Sequence, residues 1–212
     1  MSASETVTES CAAAAAEALR RGAARLLALQ RQDGCWCGEL TAGAALEPDY
    51  ILLQLWLHQP QDGVWNPPER SLIDKAAQSI LARQSPGGGF SIYPGGPAEV
   101  SASVKAYFAL KLAGLDAGGR PLRLARERIL RLGGIQAANS FVKLNLSLFG
   151  LYPRRCCPSI PPEMILLPGK FFYQMSAWTR ATLAPLSVVL AANARRQAPS
   201  GFNLEELFLP GV

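Results

Sequence analysis

The sequence predicts an all-α protein, and three observations predict it. Gly and Pro punctuate segments of helical periodicity, no segment sustains a two-residue apolar alternation, and one helix-and-turn pattern occurs twice. Helices are expected over 10–31, 43–58, 69–84, 98–113, 121–132, 136–149 and 173–193.

The N-terminal stretch MSASETVTESCAAAAAEALRR begins acidic and lacks the bulky apolar centre of a secretory signal, so it reads as a capped helix. Residues 1–17 are expected to be an Ala-rich helical or poorly ordered N-terminus, and 18–40 a helix followed by the turn that carries Asp33-Gly34 and Trp36. The second helix ends near His58, the single histidine, which without partners reads as a helix-end residue rather than an acid or ligand. In the fourth, Val100, Val104, Tyr107, Phe108 and Leu112 fall at helical spacing and predict a broad core-facing stripe. Gly114 after ALKLA and Gly133-Gly134 after RILRL mark helix stops, because glycine takes the left-handed cap. PSIPPEMILLPGK, 158–170, holds too much proline for a regular helix and predicts an irregular crossing. The last helix contains ATLAPLSVVLAA, 181–192, bracketed by Arg180 and Arg195-Arg196; twelve residues are too few to span a bilayer, which leaves a buried helix or a segment dipping into one leaflet.

Composition bounds the function. The chain has 212 residues, 49% apolar and 17% charged, enough for a substantial core. A net charge of +5, mostly from arginine and spread along the sequence, favours an anionic surface mildly and does not argue for nucleic acid. Five cysteines without an export signal point to a reducing, cytoplasmic setting. Cys35-x-Cys37 and the vicinal Cys156-Cys157 do not have zinc spacing and no second histidine exists, so no metal and no cofactor is expected.

The repeat is the most informative feature. RRGAARLLALQRQDGCW aligns with IDKAAQSILARQSPGGGF, matching Gln30 to Gln84, Gly34 to Gly88 and Trp36 to Phe90, 54 residues apart. A fainter third copy lies at RLARERILRLGGI, 123–135, where the glutamine is missing. In each full copy a helix ends at Gln, a glycine turn follows and an aromatic swings back. The amide then satisfies backbone groups at a neighbouring helix end while the ring packs over it. Both units are expected to brace helix pairs, the ring at Trp36 or Phe90 packing over the turn.

This pattern resembles the QW repeat of triterpene cyclases: a basic residue, a small residue, an apolar run, Gln, then Gly-x-Trp. Further blocks follow in the order of a squalene–hopene cyclase: LEPDYILL (46–53), YPGGPAEVSASVKAYFALKLAG (93–114), LGGIQAANSFVKLNLSLFGLYP (132–153), PPEMILLPGKFF (161–172), MSAWTRATLAPLSVV (175–189) and NLEELFLP (203–210). The resemblance runs from about residue 18 to the last residue. It implies an α/α barrel (toroid) of helix-pair repeats, here an incomplete half-barrel: 41–212 correspond to part of the smaller, inserted barrel, and the chain to the N-terminal third of such an enzyme. It also implies a squalene-like lipid substrate, a cation-cascade cyclisation to hopanoids, and a monotopic protein peripheral to the inner face of the cell membrane.

The family's acid is an Asp-x-Asp-Asp motif. The aspartates here, Asp33, Asp49, Asp62, Asp74 and Asp116, are scattered, and protonating an alkene needs a carboxylic acid held neutral and hydrogen-bonded. The isolated chain is therefore expected to be inactive. By resemblance Trp178 and Phe141 line the substrate cavity, Asp49 and Glu47 stand at acidic positions with Asp49 in a polar network, and Met175 and Leu183 match the channel wall. Glu47 and Asp49, two residues apart, do not share a helix face. Asp49 follows Pro48 and shortens the family's glutamate, and Lys105 and Asn139 stand where some relatives carry Glu and Arg.

Two alternatives stay open beside a cyclase region: a non-catalytic helical module that binds a lipid or a partner, and one half of a split cyclase whose other chain carries the later barrel. A prenyltransferase subunit shares the toroid but needs an Asp, Cys and His zinc set, which a chain with one histidine does not supply.

Overall fold

A computed structural model describes residues 3–37, 43–158, 160–167 and 171–210. Two compact units divide the chain, Met1–Thr41 and Ala42–Val212. The described residues are helical apart from turns and a single antiparallel bridge between Gln61 and Val64.

The first unit is one helix, α1 (Ala3–Leu29), and the turn after it. The helix starts earlier than the pattern predicts, since the Ala-rich segment continues it without a break.

In the second unit the α-helices are α2 (Leu46–Leu57), α3 (Arg70–Ala82), α4 (Val100–Leu112), α5 (Arg120–Arg131), α6 (Ser140–Leu148), the single turn α7 (Phe171–Gln174) and α8 (Ala177–Ala192). α4 is the axis, with α2, α3, α5 and α6 packed round it. Its predicted stripe is too narrow a description. Ser101, Ala102, Ser103, Ala106, Ala109 and Leu110 are buried along with Val104, Tyr107, Phe108 and Leu112, whereas Val100 is only half-buried. Small residues on the remaining sides let neighbouring helices approach from every direction. Glu99 starts α4 by accepting the Ala102 amide at 2.7 Å, and the stops at Gly114 (φ +97°) and Gly133 (φ +102°) fall where the sequence places them.

Two expected helices are interrupted. The 136–149 segment opens with a short 3-10 turn, Ile135–Ala137; Ala138 is extended, and Asn139 caps α6 by accepting the Val142 amide at 3.0 Å. The 173–193 segment breaks at Ser176, whose hydroxyl accepts the Thr179 amide at 3.1 Å and starts α8. In both, a side chain that satisfies free helix N–H groups is favoured over continuing the helix through it. The 158–170 crossing is irregular where described, with a 3-10 turn at Pro162–Leu166. Nor is α8 a buried helix: Ser187 is its one buried residue. No helix among the described residues is long and apolar enough to cross a membrane.

Candidate functional site

α6 separates two environments. One side, with Val142, Asn145 and Leu146, faces α2 and α4; the other, with Ser140, Phe141 and Leu144, faces α8. Between α6 and α8 lies an open, almost wholly apolar groove of about 210 Å³. α8 supplies one face of helical spacing, Trp178, Thr182, Leu186 and Leu190, with Thr179 and Leu183 beside it; Pro158 and Ile160 close one edge. The structure thus brings together Phe141, Trp178 and Leu183. Met175 is not in the groove: it precedes the α8 cap, and its carbonyl accepts from the Arg180 guanidinium at 2.9 Å. Trp178 is 74% exposed and Phe141 50%.

The acidic pair sits across α6 from this groove and is itself divided. Asp49 accepts from Lys105 Nζ at 2.6 Å, beside Leu52, Phe108 and Val142. Glu47, one turn face away, meets Arg83 at 2.6 Å and accepts from Ser79 Oγ at 3.0 Å. Each carboxylate is thus committed to its own cation, and Asp49 and Trp178 are not brought to one site. Asn139 is spent on the α6 cap.

The two Gln-Gly turns share a backbone plan. Gln30 Nε2 donates to Gly34 O at 2.7 Å and Gln84 Nε2 to Gly88 O at 2.8 Å, with φ of +83° and +84° at the glycines. They differ in what they hold. Gln84 also donates to Pro121 O at 2.8 Å in the first turn of α5, and Phe90 is wholly buried, its amide donating to Ser103 Oγ of α4 at 3.0 Å. A Cβ at Gly88 would come within 2.5 Å of the Leu124 carbonyl oxygen, so glycine is required there by closeness as well as by φ. At Gly34 a Cβ would meet no atom within 4 Å. The two aromatics also differ: the Trp36 indole is 53% exposed. Its Nε1 donates to Leu26 O at 2.6 Å, satisfying a carbonyl of the last turn of α1, which has no partner within the helix.

The cysteines are free, with Cys35, Cys37 and Cys156 exposed and Cys157 half-buried. Among the described residues no group of three or more His, Cys, Asp or Glu side chains is placed to hold a metal ion. His58 ends α2, and its carbonyl accepts from Trp65 Nε1 at 2.8 Å.

Comparison with known proteins decides the family. A model of the squalene–hopene cyclase N-terminal domain matches residues 19–212. The chain belongs to this family. A squalene–hopene cyclase of Zymomonas mobilis is 36% identical over 197 residues, 92% of this chain and 29% of the relative. A probable squalene–hopene cyclase of Sinorhizobium fredii is 37% identical over 187 residues, 87% of this chain and 28% of the relative. One from Alicyclobacillus acidocaldarius is 30% identical over 200 residues, 93% of this chain and 30% of the relative. The chain thus spans under a third of the length of these relatives.

One cluster in this squalene–hopene cyclase N-terminal domain escapes sequence reasoning. Glu206 accepts from the Tyr107 hydroxyl at 2.8 Å and from Lys111 Nζ, which also donates to Asn203 O at 2.7 Å. Burial pushes the Glu206 carboxyl up, but hydrogen bonds from Lys111, the backbone and Tyr107 outweigh it and hold the group below its usual range. Burial, reinforced by the neighbouring Glu206 carboxylate, drives the Tyr107 phenol well above its usual value. Together with buried Leu204 and Leu207, and the Gln136 amide exchanging two hydrogen bonds with the Leu209 backbone, this cluster straps residues 203–209 across the core. The partners lie more than ninety positions apart, so no local pattern announces them.

Proposed function

We propose that this chain is the N-terminal part of a squalene–hopene-type triterpene cyclase, and that the α6–α8 groove is one wall of a cavity for a squalene-like lipid. The observation that carries this reading is the meeting of Phe141, Trp178 and Leu183 in one apolar groove, three positions that the family resemblance assigns independently to cavity and channel. The chemistry is consistent. An all-carbon polyene offers no hydrogen bonds, so it is held by apolar burial. A cation developing along it is stabilised by an electron-rich ring face once water is excluded.

The Gln30-Gly34-Trp36 and Gln84-Gly88-Phe90 turns are read as QW repeats of a toroid, represented here as an incomplete barrel. The cyclase acts on a lipid of the bilayer, which makes it a peripheral protein of the inner membrane face. The proton donor lies outside this chain: no two of its aspartates are within ten residues of one another, and Asp49 and Glu47 are taken by Lys105 and Arg83. The chain alone binds lipid without converting it. Incubating the purified 212-residue protein with squalene and extracting the products by gas chromatography tests this; cyclised triterpene in that sample would overturn the reading.

The exposure of Trp178 and Phe141 favours a second reading beside it, in which a separate chain carrying the later barrel covers the groove. Turnover that appears only on mixing the two chains supports the split enzyme, and binding without turnover in either case supports a non-catalytic module.

A further inference from the structure

We propose that α5 presents an arginine face that holds the protein against an anionic lipid surface. The proposal deepens the reading above, which requires a lipid substrate drawn from a bilayer. Over α5 the charge is not scattered: its twelve residues carry five arginines and one glutamate, in a chain whose net charge is +5. The helix sorts them by face. Leu122, Ala125 and Ile129 are fully buried, and Arg120, Arg123 and Arg131 are exposed on the opposite side with Glu127 among them; Arg126 and Arg128 flank this row, half-buried.

Among the described residues one weak contact neutralises this face. Among the described residues Arg131 meets Glu127 at 3.9 Å across exposed side chains, a weak pair, and the other four arginines have no ion-pair partner. Asp116, in the preceding turn, accepts the Gly118 amide at 2.9 Å. The apolar face is already committed to the core, so α5 cannot insert as an amphipathic helix; it meets a surface only through its guanidinium groups. Its N-terminus is tied to the end of α3 by the Gln84 amide on Pro121 O. A row of guanidinium charges along one helix face suits an array of phosphates spread over a surface better than a single small anion. No aromatic interrupts the helix to stack on bases, which sets nucleic acid below a membrane as occupant.

The test is co-sedimentation of the full chain with vesicles of phosphatidylcholine alone or mixed with phosphatidylglycerol, at low and high salt. The chain is expected to bind the anionic vesicles more tightly, with affinity falling as salt rises. The R120Q/R123Q/R131Q variant, its helix content checked by circular dichroism, should lose about fivefold per arginine, on the order of a hundredfold in total. The matching lysine variant should keep most of the binding. Equal binding of wild type and glutamine variant, binding indifferent to lipid charge, or preference for a DNA duplex or polyglutamate over the anionic vesicles would each overturn the proposal. Squalene retention in neutral detergent separates the two readings: the glutamine variant should retain squalene as the wild type does. Loss of squalene binding in both, with anionic-vesicle binding intact, would remove the lipid-groove reading and leave the α5 face standing.

Discussion

Gln84 Nε2 donates across 37 positions to the carbonyl oxygen of Pro121, at 2.8 Å, while also closing its own turn on Gly88. One amide therefore fixes the end of α3 to the start of α5. Gln30 closes the equivalent turn on Gly34 at an exposed position. Gln84→Ala leaves two part-buried carbonyls short of a donor and should cost about 1–3 kcal/mol, whereas Gln30→Ala, at an exposed turn, should cost under about 1 kcal/mol. Urea unfolding followed by circular dichroism checks the difference; equal costs would contradict it.

The aromatics of the two turns should diverge in the same sense. Phe90 is wholly buried, so Phe90→Ala should destabilise by about 3–5 kcal/mol. Trp36 is half-exposed and contributes chiefly one hydrogen bond, so Trp36→Ala should cost about 1 kcal/mol. Thermal unfolding of both variants, with wild type, tests the ordering.

Acid should release the strap formed by residues 203–209. The Glu206 carboxyl is held below its ordinary range, so the folded state binds its proton less readily than the unfolded state. Its contribution is fully present above the unfolded carboxylate pKa and fades as pH falls through the lower folded value. Tyr107 has the opposite sign. Its raised phenol contributes stability below the ordinary tyrosine pKa, lost as pH climbs beyond it. Unfolding free energy should fall at both extremes, and Glu206→Gln should flatten the acid limb; an unchanged acid limb in that variant would refute the assignment.

The cysteines should matter little. All of Cys35, Cys37 and Cys156 are exposed, and a Cys35→Ser/Cys37→Ser double variant should stay within about 0.5 kcal/mol of wild type. A chelator that unfolds the protein would reinstate a metal site there.

What was legible in the sequence were features written in short spacings. The Gln-Gly turns and the stops at Gly114 and Gly133 each lie within a few residues, where helix geometry converts spacing directly into position. The resemblance assigns Phe141 and Trp178 to a cavity and Leu183 to a channel wall; their meeting in one groove is seen only in the fold, since nothing local joins α6 to α8. The misses have two physical sources. Asn139 and Ser176 satisfy helix-end amides and break segments whose apolar periodicity runs on regardless. Burial depends on what surrounds an element: α4 is enclosed on all sides beyond its stripe, and Trp36, with the motif of a brace, stays half-exposed. The Glu206 cluster and the Asp49–Lys105 and Glu47–Arg83 pairs join distant positions, and charge alone does not choose between them.

The most direct test of the central claim is equilibrium binding of radiolabelled squalene to the detergent-solubilised chain, comparing wild type with Leu183→Glu and Trp178→Ala and analysing the same samples for products. A carboxylate placed in an apolar groove should weaken binding by at least about tenfold, and loss of the indole by a smaller factor, because each removes apolar contact and Glu adds an unpaired charge. Saturable binding, weakened in both variants, is expected, with squalene recovered unchanged. Binding indifferent to both substitutions would contradict the groove, and cyclised product from the chain alone would contradict the absence of the acid.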